Sequence, residues 1–89
     1  MKFPFSRFVI KENSMLPAFK PGDQVITLNW SGVKVGDIVV FKKDGINMVK
    51  RVVKVENEKM YVEGDNKRES SNVGWVEKKD LIGRVITKI

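Results

Sequence analysis

The chain has neither histidine nor cysteine among its 89 residues. Without histidine there is no Ser-His-Asp arrangement, so a serine hydrolase built from this sequence must find another general base. Without cysteine there are no disulfides, no thiolate nucleophiles and few routes to a zinc site. That absence does not name a compartment, because a disulfide-free domain works on either side of a membrane. No run approaches the roughly 20 apolar residues that span a bilayer. The opening stretch, Met1 to Ile10, mixes charge with aromatics and lacks the apolar region of a secretory signal. The expectation is therefore a soluble or peripherally membrane-associated protein. The seven glycines are dispersed, which excludes a phosphate-cradling glycine loop. No carboxylate cluster has metal-ligand spacing, and neither metal nor cofactor is expected. There is no repeat, no low-complexity tract, no linker and no sustained 3.6-residue apolar period.

What remains is a chain long enough for one domain, taken as residues 1–89, with an ordinary hydrophobic fraction of 42%. The net charge of +6 comes from scattered lysines and arginines, which read first as a solvated surface. Base stacking would need aromatics grouped on one strand face. Here they are spread from Phe3 to Trp75, so no nucleic-acid partner is expected, and a basic nucleic-acid-binding small β-barrel is kept only as a lower-ranked alternative. Phe3, Phe5 and Phe8 are read as a first strand packing on the core, ahead of a membrane contact. Trp30 and Trp75 are assigned to core or rim.

The turn signals are those of a small β-protein. Pro21-Gly22-Asp23 precedes a strand at 24–28, and Gly36-Asp37 opens another at 38–41. Asp44-Gly45 supplies a tight hairpin, because both residues tolerate positive φ. The return strand runs from about 46 to 55, followed by strands at 60–63 and 83–89. Residues 77–81 are expected to make one helical turn. The segment 29–34 has no clear assignment, and 67–72 reads as a polar loop. The fold class is mainly β: a small, coiled, mostly antiparallel folded sheet or barrel with at most one or two short helical turns.

Two residues carry chemical interest. On an extended strand Lys50 lies beside Met48 and Val52. An ammonium between apolar side chains loses hydration, which lowers its pKa. Free lysine titrates near ~10.4, and a drop of about three units, roughly 4 kcal/mol, makes it a base at neutral pH. Ser14 precedes Met15-Leu16-Pro17, where proline fixes φ and biases Leu16 away from the α region. That predicts a rigid, exposed corner suited to a nucleophile. Each residue alone has a plain alternative, a solvated strand lysine and a turn serine. Asp23, Asp37 and Asp65 each follow a glycine and read as turn residues that satisfy local N–H groups.

Taken together, the segments resemble the type I signal peptidases and their relatives, which include the maturation proteases of nickel superoxide dismutase and the self-cleaving repressors. Residues 12–25, starting Glu12-Asn13-Ser14-Met15-Leu16-Pro17, resemble the family's nucleophile segment. Gly36-Asp37-Ile38-Val39-Val40-Phe41 is similar to its next strand. Met48-Val49-Lys50-Arg51-Val52-Val53 resembles the strand with the general-base lysine, and Gly64-Asp65-Asn66 with Ser70 its last motif.

The resemblance implies a serine endopeptidase with a Ser-Lys dyad, acting on an extended peptide or pre-protein after small residues. It makes Ser14 the nucleophile, Lys50 the general base and Ser70 the residue that positions the amine. It also makes the Ser14 backbone N–H an oxyanion donor. The substrate would add as a strand beside about 8–12, touching Val9, Ile10, Lys11, Glu12, Asn13 and Met15. A peripheral membrane or anchor-protein contact is left open.

The chain departs from the pattern in places. Many relatives have a small or hydroxyl residue two places before the nucleophile, where this chain has Glu12, which as a carboxylate only accepts hydrogen bonds. In the last motif, Asn72 and Gly74 stand where the family pairs an Asp with an Arg. These departures keep a catalytically impaired relative, acting as a binding module, as an alternative. Self-cleavage ranks lower: relatives of that kind cut an internal Ala-Gly bond, whereas the single alanine here, Ala18, precedes Phe19.

Overall fold

Alternation builds the strands. In β2 (Gln24–Asn29), Val25 and Thr27 turn inward, and in β5 (Lys59–Glu63), Met60 and Val62 do the same. The computed structural model describes residues 3–30, 32–68 and 73–89. The remaining strands are β1 (Phe5–Val9), β3 (Ile38–Lys43), β4 (Ile46–Glu56), β6 (Gly74–Glu77) and β7 (Leu81–Lys88). A 3-10 turn at Lys78–Asp80 joins β6 to β7. All seven strands form one antiparallel sheet in the order β1-β2-β7-β3-β4-β5-β6. The strands β1 and β6 stand at its two ends, so the sheet is folded but not closed.

Asp44 and Gly45 take φ of 52° and 77°, the double positive turn expected of Asp-Gly between paired strands. The strand β6 was not expected, because only four residues pair and their sequence, Gly-Trp-Val-Glu, carries a single inward apolar residue, Val76. The unassigned segment after β2 begins with Trp30 at φ 58°.

The first strand corrects one expectation. Only Phe8 packs inward, against the second core cluster, while Phe3 and Phe5 are exposed. The reason is parity: positions 3 and 5 share the face opposite to position 8. Trp30 and Trp75 are both exposed. Trp75 packs edge-on to Tyr61, with centroids 5.3 Å apart, and carries the Lys59 amine 4.7 Å above its ring.

Two apolar clusters hold the sheet. One comprises Val39, Phe41, Val52, Met60, Val62 and Val76; the other comprises Ile10, Met15, Phe19 and Val25. The strand β4 runs between them, with Met48 packed on the first and Val49 on the second.

Sheet packing is closest at Gly83, where β7 passes between β2 and β3. A Cβ there would meet the Asn29 side-chain oxygen and sit 2.8 Å from the Leu28 carbonyl oxygen, which is backbone. Gly83→Ala is expected to cost about 1–3 kcal/mol in a urea melt, whereas alanine at the exposed Gly32, with nothing within 4 Å, changes little.

Candidate active site

The turn that carries Ser14 is nailed down by the residues after it. Met15 and Phe19 are buried in the second core cluster, and the Phe19 N–H donates to the Met15 carbonyl at 2.9 Å. The Leu16 N–H donates to the Asn13 carbonyl at 3.1 Å, and the Leu16–Pro17 peptide is cis. Proline thus sits in a defined turn, as its sequence context predicted. The exposed corner expected for Ser14 is not found: the residue is only 6% exposed, because its backbone is capped from the other side of the molecule.

The cap comes from the segment Gly64-Asp65-Asn66. The Asn66 N–H donates to the Ser14 carbonyl at 2.8 Å, and its side-chain amide donates to the Asn13 carbonyl at 3.0 Å. Asp65 takes a two-pronged bond from Arg51, Nε to Oδ1 and Nη2 to Oδ2, both at 2.8 Å. The Asp65 carboxylate also strengthens the hold of the Arg51 guanidinium on its proton. The third Arg51 contact, Nη1 to the Gly36 carbonyl at 2.8 Å, ties in the start of the β3 segment. The residue after Lys50 therefore clamps the loop that holds the residue before Met15.

Sequence reasoning missed this clamp. Asp65 is not a local turn residue; its partner lies on β4. Asp23 and Asp37 do behave as read, accepting from the Lys20 N–H at 2.9 Å and the Lys34 N–H at 3.0 Å. The first of those bonds, with help from the Lys20 amine, holds the Asp23 carboxyl below its ordinary range. A signal for the clamp existed, since an arginine directly follows the candidate base and an aspartate lies in the last motif. Nothing local, however, links the two.

Lys50 is 2% exposed, the most deeply buried cation among the described residues. It pairs with the fully buried Val39 across β3, and its strand neighbours Met48 and Val52 both pack in the first cluster. Burial pushes its amine below the ordinary lysine range; the nearby Glu12 carboxylate opposes that by favouring the charged form.

Ser14 and Lys50 line one cleft of about 470 Å³. One wall is the stretch 7–12 and the other is 46–50. Val9, Ile10, Lys11, Glu12 and Met15 of the expected substrate contacts lie on it. Asn13 does not, because its carbonyl is turned to the Asn66 amide. Ser70 lies outside the described residues, and so does Asn72; Gly74 opens β6 and has no side chain to pair.

The cleft has strand edges on both sides. The strand β1 pairs with β2 alone. Residues 46–50 of β4 pair with β3, and pairing with β5 begins only at Arg51. Among the described residues, no group of three or more acidic residues could hold a metal ion.

Because the Glu12 charge favours protonated Lys50, Glu12→Gln lowers the amine's pKa further. The acid limb of any activity that needs neutral Lys50 is expected to move to lower pH, read from kcat against pH with the rest of the cleft unchanged.

The sequence model of the Peptidase S24-like family matches residues 7–86. No individual curated protein matches the chain. The match bears out the superfamily resemblance read from the sequence, and it does not single out the signal-peptidase branch, since the family includes repressors. With the buried lysine, the capped serine turn and the match over nearly the full length, the chain belongs to the Peptidase S24-like family, within the superfamily that joins signal peptidases and self-cleaving repressors.

Proposed function

We propose that this protein is a serine endopeptidase that uses Ser14 and Lys50 as its dyad and cuts signal-type or propeptide segments after small residues. The observation that carries this reading is the burial of Lys50 in the cleft that Ser14 also lines. A surface lysine stays charged at neutral pH; a buried one gives up its proton more readily.

The chemistry follows from those groups. Neutral Lys50 Nζ takes the hydroxyl proton of Ser14 as Oγ attacks the peptide carbonyl carbon. The carbonyl oxygen becomes an oxyanion and is met by the Ser14 backbone N–H, which no backbone carbonyl of the described residues engages. The Lys50 ammonium then gives its proton to the departing amine, and the C–N bond breaks. Lys50, neutral again, takes a proton from water as the water oxygen attacks the acyl carbon. Its ammonium then returns that proton to Ser14 Oγ as the C–Oγ bond breaks and the acid is released.

The substrate is a separate extended segment. The chain's one alanine, Ala18, sits half-buried in the Ser14 turn itself, and Phe19 after it is core. That bond cannot lie across its own nucleophile without unfolding the turn.

Glu12 supports a second reading, a binding module of reduced activity. It stands where relatives place a second oxyanion donor, and its charge holds a proton on Lys50. One experiment separates the two. A fluorogenic peptide with alanine at the cut and another two places before it is mixed with the protein and quenched early. Turnover, with an acyl adduct on Ser14 seen by mass spectrometry and absent in Ser14→Ala, supports the peptidase. Binding of the same peptide with neither turnover nor adduct between pH 7 and about 10 rejects it.

A further inference from the structure

The cleft wall facing solvent carries an uneven pattern of charge. On β1 and just beyond it, Arg7, Val9 and Lys11 share one parity, and all three are exposed and line the cleft. Neither Arg7 nor Lys11 makes an ion pair or side-chain hydrogen bond with another described residue. The opposite wall offers no acid: it runs Ile46, Asn47, Met48, Val49, Lys50. Among the described residues, the one carboxylate lining the cleft is Glu12, at the end nearest Ser14. The cleft is thus cationic along β1 and anionic beside the dyad.

Resting on the peptidase reading above, we propose that this cleft selects peptides with an acidic residue several positions from the cut, received by Arg7 and Lys11, and a neutral or basic residue next to the cut, beside Glu12. A peptide laid along the open edge of β1 advances about 3.3 Å per residue, so residues level with Arg7 lie well away from the reacting bond. There a carboxylate finds two unpaired cations. Beside the dyad it would meet Glu12, and a second negative charge would hold the proton on Lys50 and remove the base. One charge pattern therefore serves binding at one end of the cleft and protects the amine at the other.

A glutamate walk tests this. A set of alanine- and serine-based decapeptides carries one Glu, or Gln as its control, moved one position at a time. Cleavage by the wild type is read as kcat/KM, and binding to Ser14→Ala is read by fluorescence anisotropy. A remote Glu is expected to improve both by about three- to fivefold over Gln, as befits a partly exposed pair. A Glu next to the cut is expected to lower kcat. In Arg7→Gln/Lys11→Gln the remote Glu/Gln ratio falls to about one, and in the wild type it shrinks at high salt. Selective binding by Ser14→Ala without cleavage by the wild type leaves this inference standing and sinks the peptidase reading. Cleavage or binding indifferent to Glu position, or a preference that survives in the double variant, overturns the inference and leaves the peptidase reading intact. No binding of any peptide overturns the inference as well.

Discussion

Lys50→Met is expected to abolish turnover and leave a protein at least as stable as the parent. With the proposed dyad, loss of Lys50 as base costs kcat at least about 10³-fold, and Ser14→Ala costs a similar amount. The double variant should be no worse than either single one, since the two groups act as a unit. Stability moves the other way. Methionine has nearly the shape of the lysine stem and meets Met48, Val52 and Val39 without a charge to desolvate. Replacing a buried charge by a fitting apolar side chain is neutral or stabilising by up to about 1–3 kcal/mol.

The pH dependence sharpens the comparison. Burial depresses the folded-state pKa of Lys50 below the ordinary value of 10.5. Between those two pKa values the unfolded chain binds more protons, so wild-type stability rises with pH across that window. Below it, the full cost of the buried ammonium is present. Urea melts of the two proteins should therefore differ most at neutral and acid pH and converge as pH climbs towards 10.5. Equal loss of activity and of stability in Lys50→Met would make Lys50 a structural residue and remove the basis of the dyad.

Asp65→Ala is expected to lower kcat by about tenfold or more with a smaller change in KM, and to destabilise the fold by about 1–2 kcal/mol. The substitution leaves the Arg51 guanidinium without its carboxylate, which costs up to about 3 kcal/mol for a charge-assisted pair. The lower end applies because the Arg51 and Asp65 side chains are 36% and 19% exposed, and water takes over part of the role. The kinetic loss comes from position. Asn66, next in the chain, holds the Ser14 carbonyl, so slack at 65 becomes displacement at Ser14. Asp65→Glu should recover part of the rate, and a double-variant cycle with Arg51→Ala should show strong coupling. Full activity in Asp65→Ala would mean that the Ser14 turn is held by Met15 and Phe19 alone.

Much of this architecture was legible because local chemistry dictates it. Asp44-Gly45 makes the turn it encodes, and the proline at 17 stops the Ser14 segment from becoming helix. The 3-10 turn falls at Lys78–Asp80, within the expected 77–81. The strand β6 escaped notice because its four residues are organised by pairing with β5, not by a pattern of their own. The outward Phe5 and inward Phe8 show the same limit, since parity in an end strand depends on which face the neighbouring strand buries. The Arg51–Asp65 clamp joins residues whose nearness is created by the folded sheet.

The sequence by itself determined the chemical alphabet: with no histidine and no cysteine, neither a Ser-His-Asp arrangement nor a thiolate nucleophile can be built from this chain. It also set the turns and most strand positions, which follow from backbone preferences of a few adjacent residues. Only the tertiary structure decided that Lys50 among 17 basic residues is dry, that the Ser14 turn is capped from the segment 64–66, and that Arg7 and Lys11 flank the same cleft. Burial and charge proximity are sums over residues far apart in the chain, and those sums exist only once the two core clusters have closed.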